Sequence, residues 1–204
     1  MSKSVVFLPG AGADSDFWRP AGNLLPQEWC KVFLGWPGLG HNPPAPDVNG
    51  FDDLVRLTES HLPPGKLTIV AQSFGGAVAL AVTLRNVQRV ESLVLTTTAA
   101  GLNVNTLGAE DWRPSYKAEY PNAATWLYDS RPNFEAQLPT LIQPTLLIWG
   151  DNDPVSPVAV GRHLHQLLPQ SKLHVIAGGT HALATERATE VASLIRAHVL
   201  RLEG

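Results

Sequence analysis

Three residue types that together turn a hydroxyl into a nucleophile sit at breaks in this chain. Ser73 lies in Ala71-Gln72-Ser73-Phe74-Gly75-Gly76, Asp153 in Gly150-Asp151-Asn152-Asp153-Pro154, and His181 in Gly178-Gly179-Thr180-His181. A Ser hydroxyl attacks poorly until a base takes its proton, and an imidazole, which titrates near neutrality, is the usual base. The imidazole in turn needs a carboxylate to hold its tautomer and steady the cation that forms. The charge growing on an attacked carbonyl oxygen needs fixed donors. The backbone N–H groups of Phe74 and of Ala11, within Leu8-Pro9-Gly10-Ala11-Gly12, offer them.

The elements that would position these groups are legible around Ser73. Leu67 to Ala71 is a short apolar run of the kind that forms a strand buried on both faces, and Ala77 to Leu84 is apolar on every side except Thr83, as a helix packed all round would be. A strand running straight into a helix leaves Ser73 on the turn. Such a turn needs small side chains two positions before and after, here Ala71 and Gly75, with Gly76 letting the helix start close to its neighbours. The hydroxyl then stands above the sheet with the helix's free N–H groups aimed at it. On this stretch alone the same Ser also fits a helix N-cap, so the remaining chain has to decide.

That remainder alternates. Strands are expected at Val5–Leu8, Lys31–Leu34, Val90–Thr96, Thr145–Trp149 and Lys172–Ile176 besides the central one. Helices are expected around Phe17–Leu25, at Leu54–Leu62, at Val158–Leu168, and in a last helix whose apolar positions 188, 191, 192, 195 and 199 form one stripe. Strands alternating with helices imply a parallel sheet covered on both faces, in which ligands bind at the carboxyl ends of the strands. Ser73, Asp153 and His181 each follow a predicted strand, so one sheet edge gathers them.

Between about 98 and 141 the alternation lapses into Trp112, Tyr116, Tyr120, Trp126, Tyr128 and Phe134 among polar residues. This reads as an excursion with a small core of its own and as a lid over a substrate cavity. Trp112 and Trp126 from this stretch, with Trp36 and His41 from the turn-rich loop Trp36–Pro44, are the expected pocket residues. Of the two readings of His41, a solvated loop His is favoured over a pocket residue.

Composition sets the outer limits. With 204 residues and 44% hydrophobic content the chain suits one domain, spanning 1–204, with a substantial core. A net charge of −3 and a pI near 6.1 give no electrostatic reason to expect nucleic acid as a partner. No apolar run approaches the roughly 20 residues of a membrane span, and the N-terminal apolar run is too short for a signal peptide, so a cytoplasmic protein without membrane insertion is expected. The single Cys30 is expected to be a small buried hydrophobe. Gly10-Ala11-Gly12 fails the dinucleotide pattern at Ser15, and His163 and His165, two apart on a helix, do not share a face. No metal and no cofactor is expected. His61 and His198 are expected to be solvated.

With these motifs assembled, the chain resembles the α/β-hydrolase family over almost its whole length, as a compact member with a serine nucleophile. The resemblance implies a mostly parallel sheet of about six strands with a short lid. It implies that the acid ends a Gly-x-x-Asp turn, which selects Asp153 over Asp151, and that the base follows a Gly-x-x stretch, which selects His181 over His174. Three departures stand out: Ala71 where the family often has Gly, Pro9 where a His commonly precedes the oxyanion-loop Gly, and a start directly on the first parallel strand. The implied activity is hydrolysis of a small to medium carboxylic ester or thioester through an acyl-Ser73 intermediate, with a small acyl compound as the expected partner. Similar sites in the family also serve C–C bond hydrolysis, perhydrolysis and cyanohydrin cleavage, and some members bind ligands without turnover.

Overall fold

The computed structural model describes residues 3–130 and 132–201. Six strands form one sheet: β1 (Ser4–Leu8), β2 (Cys30–Phe33), β3 (Leu67–Gln72), β4 (Val90–Thr96), β5 (Thr145–Gly150) and β6 (Ser171–Ile176). Their spatial order is β2-β1-β3-β4-β5-β6, and every neighbouring pair is parallel. The expectation of about six strands holds. Because β1 runs first and the chain then moves outward to β2 before returning to β3, the strand order reverses beside β1 and β3, and loops leaving these two strands diverge to open a crevice.

Side-chain alternation along β1 divides the interior into two cores. Val6 and Leu8 face one of them, with Leu54 and Val55 of α2 (Phe51–Ser60), Val78 and Val82 of α3 (Phe74–Arg85), and Val160 and Leu164 of α6 (Val158–Leu167). Val5 and Phe7 face the other, with Ala21 of α1 (Arg19–Gly22), Leu183 of α7 (Leu183–Glu186), and Val191 and Ile195 of α8 (Ala188–Leu200). A period of two feeding two cores is what a sheet covered on both sides requires. The first helix is shorter than the Phe17–Leu25 reading, and Trp18, which precedes it, turns inward to donate its indole N–H to the Leu8 carbonyl at 2.9 Å.

β3 and β4 sit at the middle of the sheet, and α3 packs against β3 with residues 75–83 buried throughout. The one polar side chain on that helix face, Thr83, returns its hydroxyl to the Ala79 carbonyl at 2.7 Å, so no donor is orphaned. Cys30 departs from expectation: it is exposed, since β2 is an edge strand and Cys30 is its first residue. His198 departs too. It is half-buried on α8, and desolvation lowers its pKa.

From β4 to β5 the chain leaves the sheet and forms α4 (Arg113–Glu119), α5 (Trp126–Asp129) and two short 3-10 turns. Their apolar residues are continuous with the α2/α3 core: Tyr116, Leu127, Leu138 and Leu141 are buried within it. Among the described residues no helix is long and apolar enough to cross a membrane.

The start of α3 is packed against backbone. A Cβ on Gly75 would lie 2.3 Å from the Pro9 carbonyl oxygen and 2.9 Å from that of Leu8. A Gly→Ala change in an open helix gains about 1 kcal/mol. Here overpacking against immobile backbone, at about 1–3 kcal/mol or more, outweighs that gain. Gly75→Ala should therefore lower the free energy of unfolding measured in urea by about 1–2 kcal/mol net; equal or higher stability would contradict this packing.

Candidate active site

Ser73 stands between β3 and α3 with φ 51° and ψ −122°. That region is sparsely populated for a non-glycine residue and costs about 1–3 kcal/mol unless neighbours impose it. They do. The Ser73 N–H donates to the Thr96 carbonyl at 3.0 Å, and the Ser73 carbonyl accepts from the Gly76 N–H at 2.9 Å and from the Thr98 hydroxyl. A Cβ on Gly76 would fall 2.2 Å from the Thr98 hydroxyl, so this position has no room for a side chain. The sharp turn follows from β4 and its trailing loop gripping the backbone on both sides of the Ser.

The turn brings the Ser73 hydroxyl 3.0 Å from His181 Nε2, and His181 Nδ1 lies 2.8 Å from Asp153 Oδ2. These partners assign the tautomer: Nδ1–H donates to the carboxylate and Nε2 accepts from the hydroxyl. The Asp153 side chain is fully buried, whereas His181 keeps 30% of its side-chain surface accessible. A buried carboxylate needs donors. Oδ1 receives two, the N–H groups of Val155 at 2.9 Å and Ser156 at 3.0 Å, and Ser156 Oγ in turn accepts from the Trp149 indole N–H at 3.2 Å.

The loops carrying Asp153 and His181 are tied to each other. A Cβ on Gly150 would stand 2.0 Å from the Gly179 carbonyl oxygen, which shows how closely the two backbones meet. The Asn152 N–H donates to Gly179 O at 2.9 Å, and Asp151 Oδ1 accepts from the Gly178 N–H at 2.6 Å. Asp151, set aside as the acid, thereby holds the loop carrying His181 against the loop carrying Asp153. Gln72, 5% exposed, adds a tie from the strand below: its Nε2 donates to the His181 carbonyl at 3.2 Å.

The residues expected to form an oxyanion loop meet the same edge. Gly10 to Ala13 form a turn closed by the Ala13 N–H to Gly10 O bond at 3.0 Å, which leaves Ala11 at its first corner. A Cβ on Gly10 would be 3.1 Å from Ser73 Cβ, so this turn lies directly beside the hydroxyl-bearing residue. Phe74 opens α3, where the first N–H groups have no intrahelical acceptor. Among the described residues no hydrogen bond engages the Ala11 N–H.

The four expected pocket residues separate. Trp36 is fully buried and donates its indole N–H to the Pro9 carbonyl at 3.0 Å, so it supports the Gly10–Ala13 turn from behind and presents no surface to a ligand. His41 is exposed and meets the Tyr120 ring edge-on at 4.8 Å. Trp112 packs on Tyr116 and under the Arg113 guanidinium. Trp126 packs beside the residue following Ser73, with its ring 6.3 Å from that of Phe74. Tyr120 belongs with them: its hydroxyl would sit 3.6 Å from a Cβ on Gly12, and desolvation, with Glu119 as a second cause, pushes its pKa up to about 12. Among the described residues no group of three or more His, Cys, Asp or Glu side chains is arranged to hold a metal ion.

The alpha/beta hydrolase fold family model matches residues 3–125 and 105–188. The chain belongs to the alpha/beta hydrolase family. A pimeloyl-(acyl-carrier protein) methyl ester esterase of Neisseria meningitidis is 25% identical, over 95% of this chain and 92% of that protein. A poly(3-hydroxyalkanoate) depolymerase of Ectopseudomonas oleovorans is 25% identical, over 94% of this chain and 82% of that one. The polyketide synthase ThaQ of Burkholderia thailandensis is 24% identical over 88% of this chain, which spans only 11% of that much longer protein. Among solved structures, a thermophilic esterase from Thermogutta terrifontis superposes with a TM-score of 0.77 at 21% identity, covering 100% of this chain and 92% of the other.

Gly150→Ala should part the two loops. The expected result is loss of the far-downfield imidazole N–H proton resonance that a short His–Asp hydrogen bond gives, with a lowered Tm. An unchanged resonance would mean that the Gly150–Gly179 contact does not hold the pair together.

Proposed function

We propose that this chain hydrolyses a small to medium carboxylic ester or thioester through an acyl-enzyme intermediate on Ser73. The observation that carries the reading is the unbroken series of a Ser hydroxyl 3.0 Å from His181 Nε2 and a fully buried carboxylate 2.8 Å from Nδ1. The curated relatives named as an ester esterase and a depolymerase favour ester chemistry over the other reactions that similar sites perform.

In this mechanism Ser73 Oγ attacks the substrate carbonyl carbon as Nε2 takes the hydroxyl proton. The carbonyl oxygen becomes an oxyanion and is received by the N–H groups of Phe74 and Ala11. Asp153 stabilises the imidazolium through Nδ1–H. When the tetrahedral species collapses, the bond to the leaving alcohol or thiol breaks and that group takes the proton from Nε2. Water then repeats the sequence: His181 takes a proton from it, the resulting hydroxide attacks the acyl-serine, and the acid departs as the proton returns to Ser73. The stretch at about 98–141 acts as a lid, and Trp126 and Tyr120 shape the space above Phe74.

Ser73→Ala and His181→Ala should each reduce kcat on p-nitrophenyl acetate or butyrate by at least about 10⁴-fold without loss of the folded state. Wild-type kcat/KM should fall on acidification, because a protonated imidazole cannot accept the Ser73 proton. Wild-type turnover by Ser73→Ala would overturn the mechanism. Inertness toward a graded ester and thioester series, combined with cleavage of a diketone, would move the reaction to C–C hydrolysis.

A further inference from the structure

The oxyanion loop is held at its flanks and at its centre by different parts of the chain. The flanks belong to the loop 36–44. Trp36 donates its indole N–H to Pro9 O at 3.0 Å and its backbone N–H to Ala13 O at 3.2 Å, and Asn42 Nδ2 donates to Ala13 O at 2.8 Å. The centre belongs to α4. The Tyr116 hydroxyl donates to the Ala11 carbonyl at 2.8 Å and accepts from the Gly40 N–H at 2.9 Å. It is the one side chain among the described residues that bonds to Ala11.

Both bonds are made out of water, since Tyr116 is 7% exposed. Desolvation raises its pKa, with the Gly40 amide pulling in the opposite direction, so the phenol stays protonated and remains a donor at neutral pH. The ring is locked by its neighbours: Trp112 edge-on at 5.4 Å, Tyr120 at 4.8 Å and Tyr128 at 6.2 Å. A hydroxyl on a rigid ring, with donor and acceptor capacity both used, leaves the Ala11 carbonyl little freedom to rotate. The turn bond holds Gly10 O and with it the peptide plane that carries the Ala11 N–H, and the Tyr116 bond holds the next plane through Ala11 O, so together they restrict φ and ψ of Ala11 between the two planes.

We propose that Tyr116 is a positioning residue that aims the Ala11 N–H at the developing oxyanion and couples the β4–β5 connection to the reaction centre. This rests on the hydrolytic reading of Ser73 above. Its energetic signature differs from that of packing. A misaligned oxyanion donor is felt where charge develops, in the transition state, and little in ground-state binding.

The test uses the full chain with Tyr116→Phe, which keeps the ring and removes only the hydroxyl. On p-nitrophenyl acetate, kcat should fall about 10-fold or more while KM stays within about twofold. The rate at which a fluorophosphonate labels Ser73 should fall by a similar factor, with an unchanged circular dichroism spectrum. Wild-type kcat accompanied only by a lower Tm would reduce Tyr116 to structural glue and overturn the inference. Ser73→Ala assayed alongside separates the two levels. If it is inactive while Tyr116→Phe retains full kcat, the Tyr116 role alone fails; if it turns over at the wild-type rate, the hydrolytic reading fails and this inference with it. Should Tyr116→Phe not fold, hydrogen exchange of the Gly40 amide in the wild type decides. Exchange slowed by about 100-fold or more supports the bridge, and exchange at the rate of an unstructured peptide overturns it.

Discussion

The backbone of Ser73 is the constraint on which the rest of this structure depends. At φ 51° it occupies a conformation that a serine avoids, and it does so because Thr96, Thr98 and Gly76 engage both its N–H and its carbonyl. A cost of about 1–3 kcal/mol is small beside the burial of β3 and α3, whose side chains are almost wholly enclosed. In return the hydroxyl is held clear of the helix start, within reach of His181. Relaxing the turn would direct it elsewhere and dismantle the series at its first member.

Neighbouring glycines serve the same end by letting backbones meet. Gly75 admits the carbonyls of Leu8 and Pro9, Gly76 admits Thr98, and Gly150 meets Gly179. Each contact joins the chain at or just beyond the end of one strand to the chain at or just beyond the end of another. The carboxyl edge of the sheet thus becomes one interlocked surface that holds Ser73, His181 and Asp153 in their mutual geometry. Asp151 and Gln72 extend this interlock with side chains.

Much of this arrangement is legible in the sequence because it rests on local rules. The unbroken apolar run Val5–Leu8 implies a strand covered on both faces, and small residues two positions before and two after Ser73 imply a tight turn. The breaks at Gly150 and Gly178 place an acid and a base at strand ends. What is not legible depends on distant partners. An aromatic residue in a Gly- and Pro-rich loop faces outward or inward according to what lies beneath it, and Trp36 turns in because the Pro9 carbonyl needs a donor. Cys30 is exposed because β2 is an edge strand, a fact of sheet order that local pattern does not carry. Tyr116 left one clue, the i, i+4 series Trp112, Tyr116, Tyr120 on a single helix face, but its bond to Ala11 spans 105 positions.

The central claim is that the neighbourhood of Ser73 makes its hydroxyl a nucleophile. The most direct measurement is labelling at neutral pH with a fluorophosphonate, followed by mass spectrometry to locate the adduct, in the wild type, in Ser73→Ala and in His181→Ala. An adduct on Ser73 that is absent from both variants is the predicted result. A folded wild-type protein that takes no label, or takes it at another residue, would contradict the account.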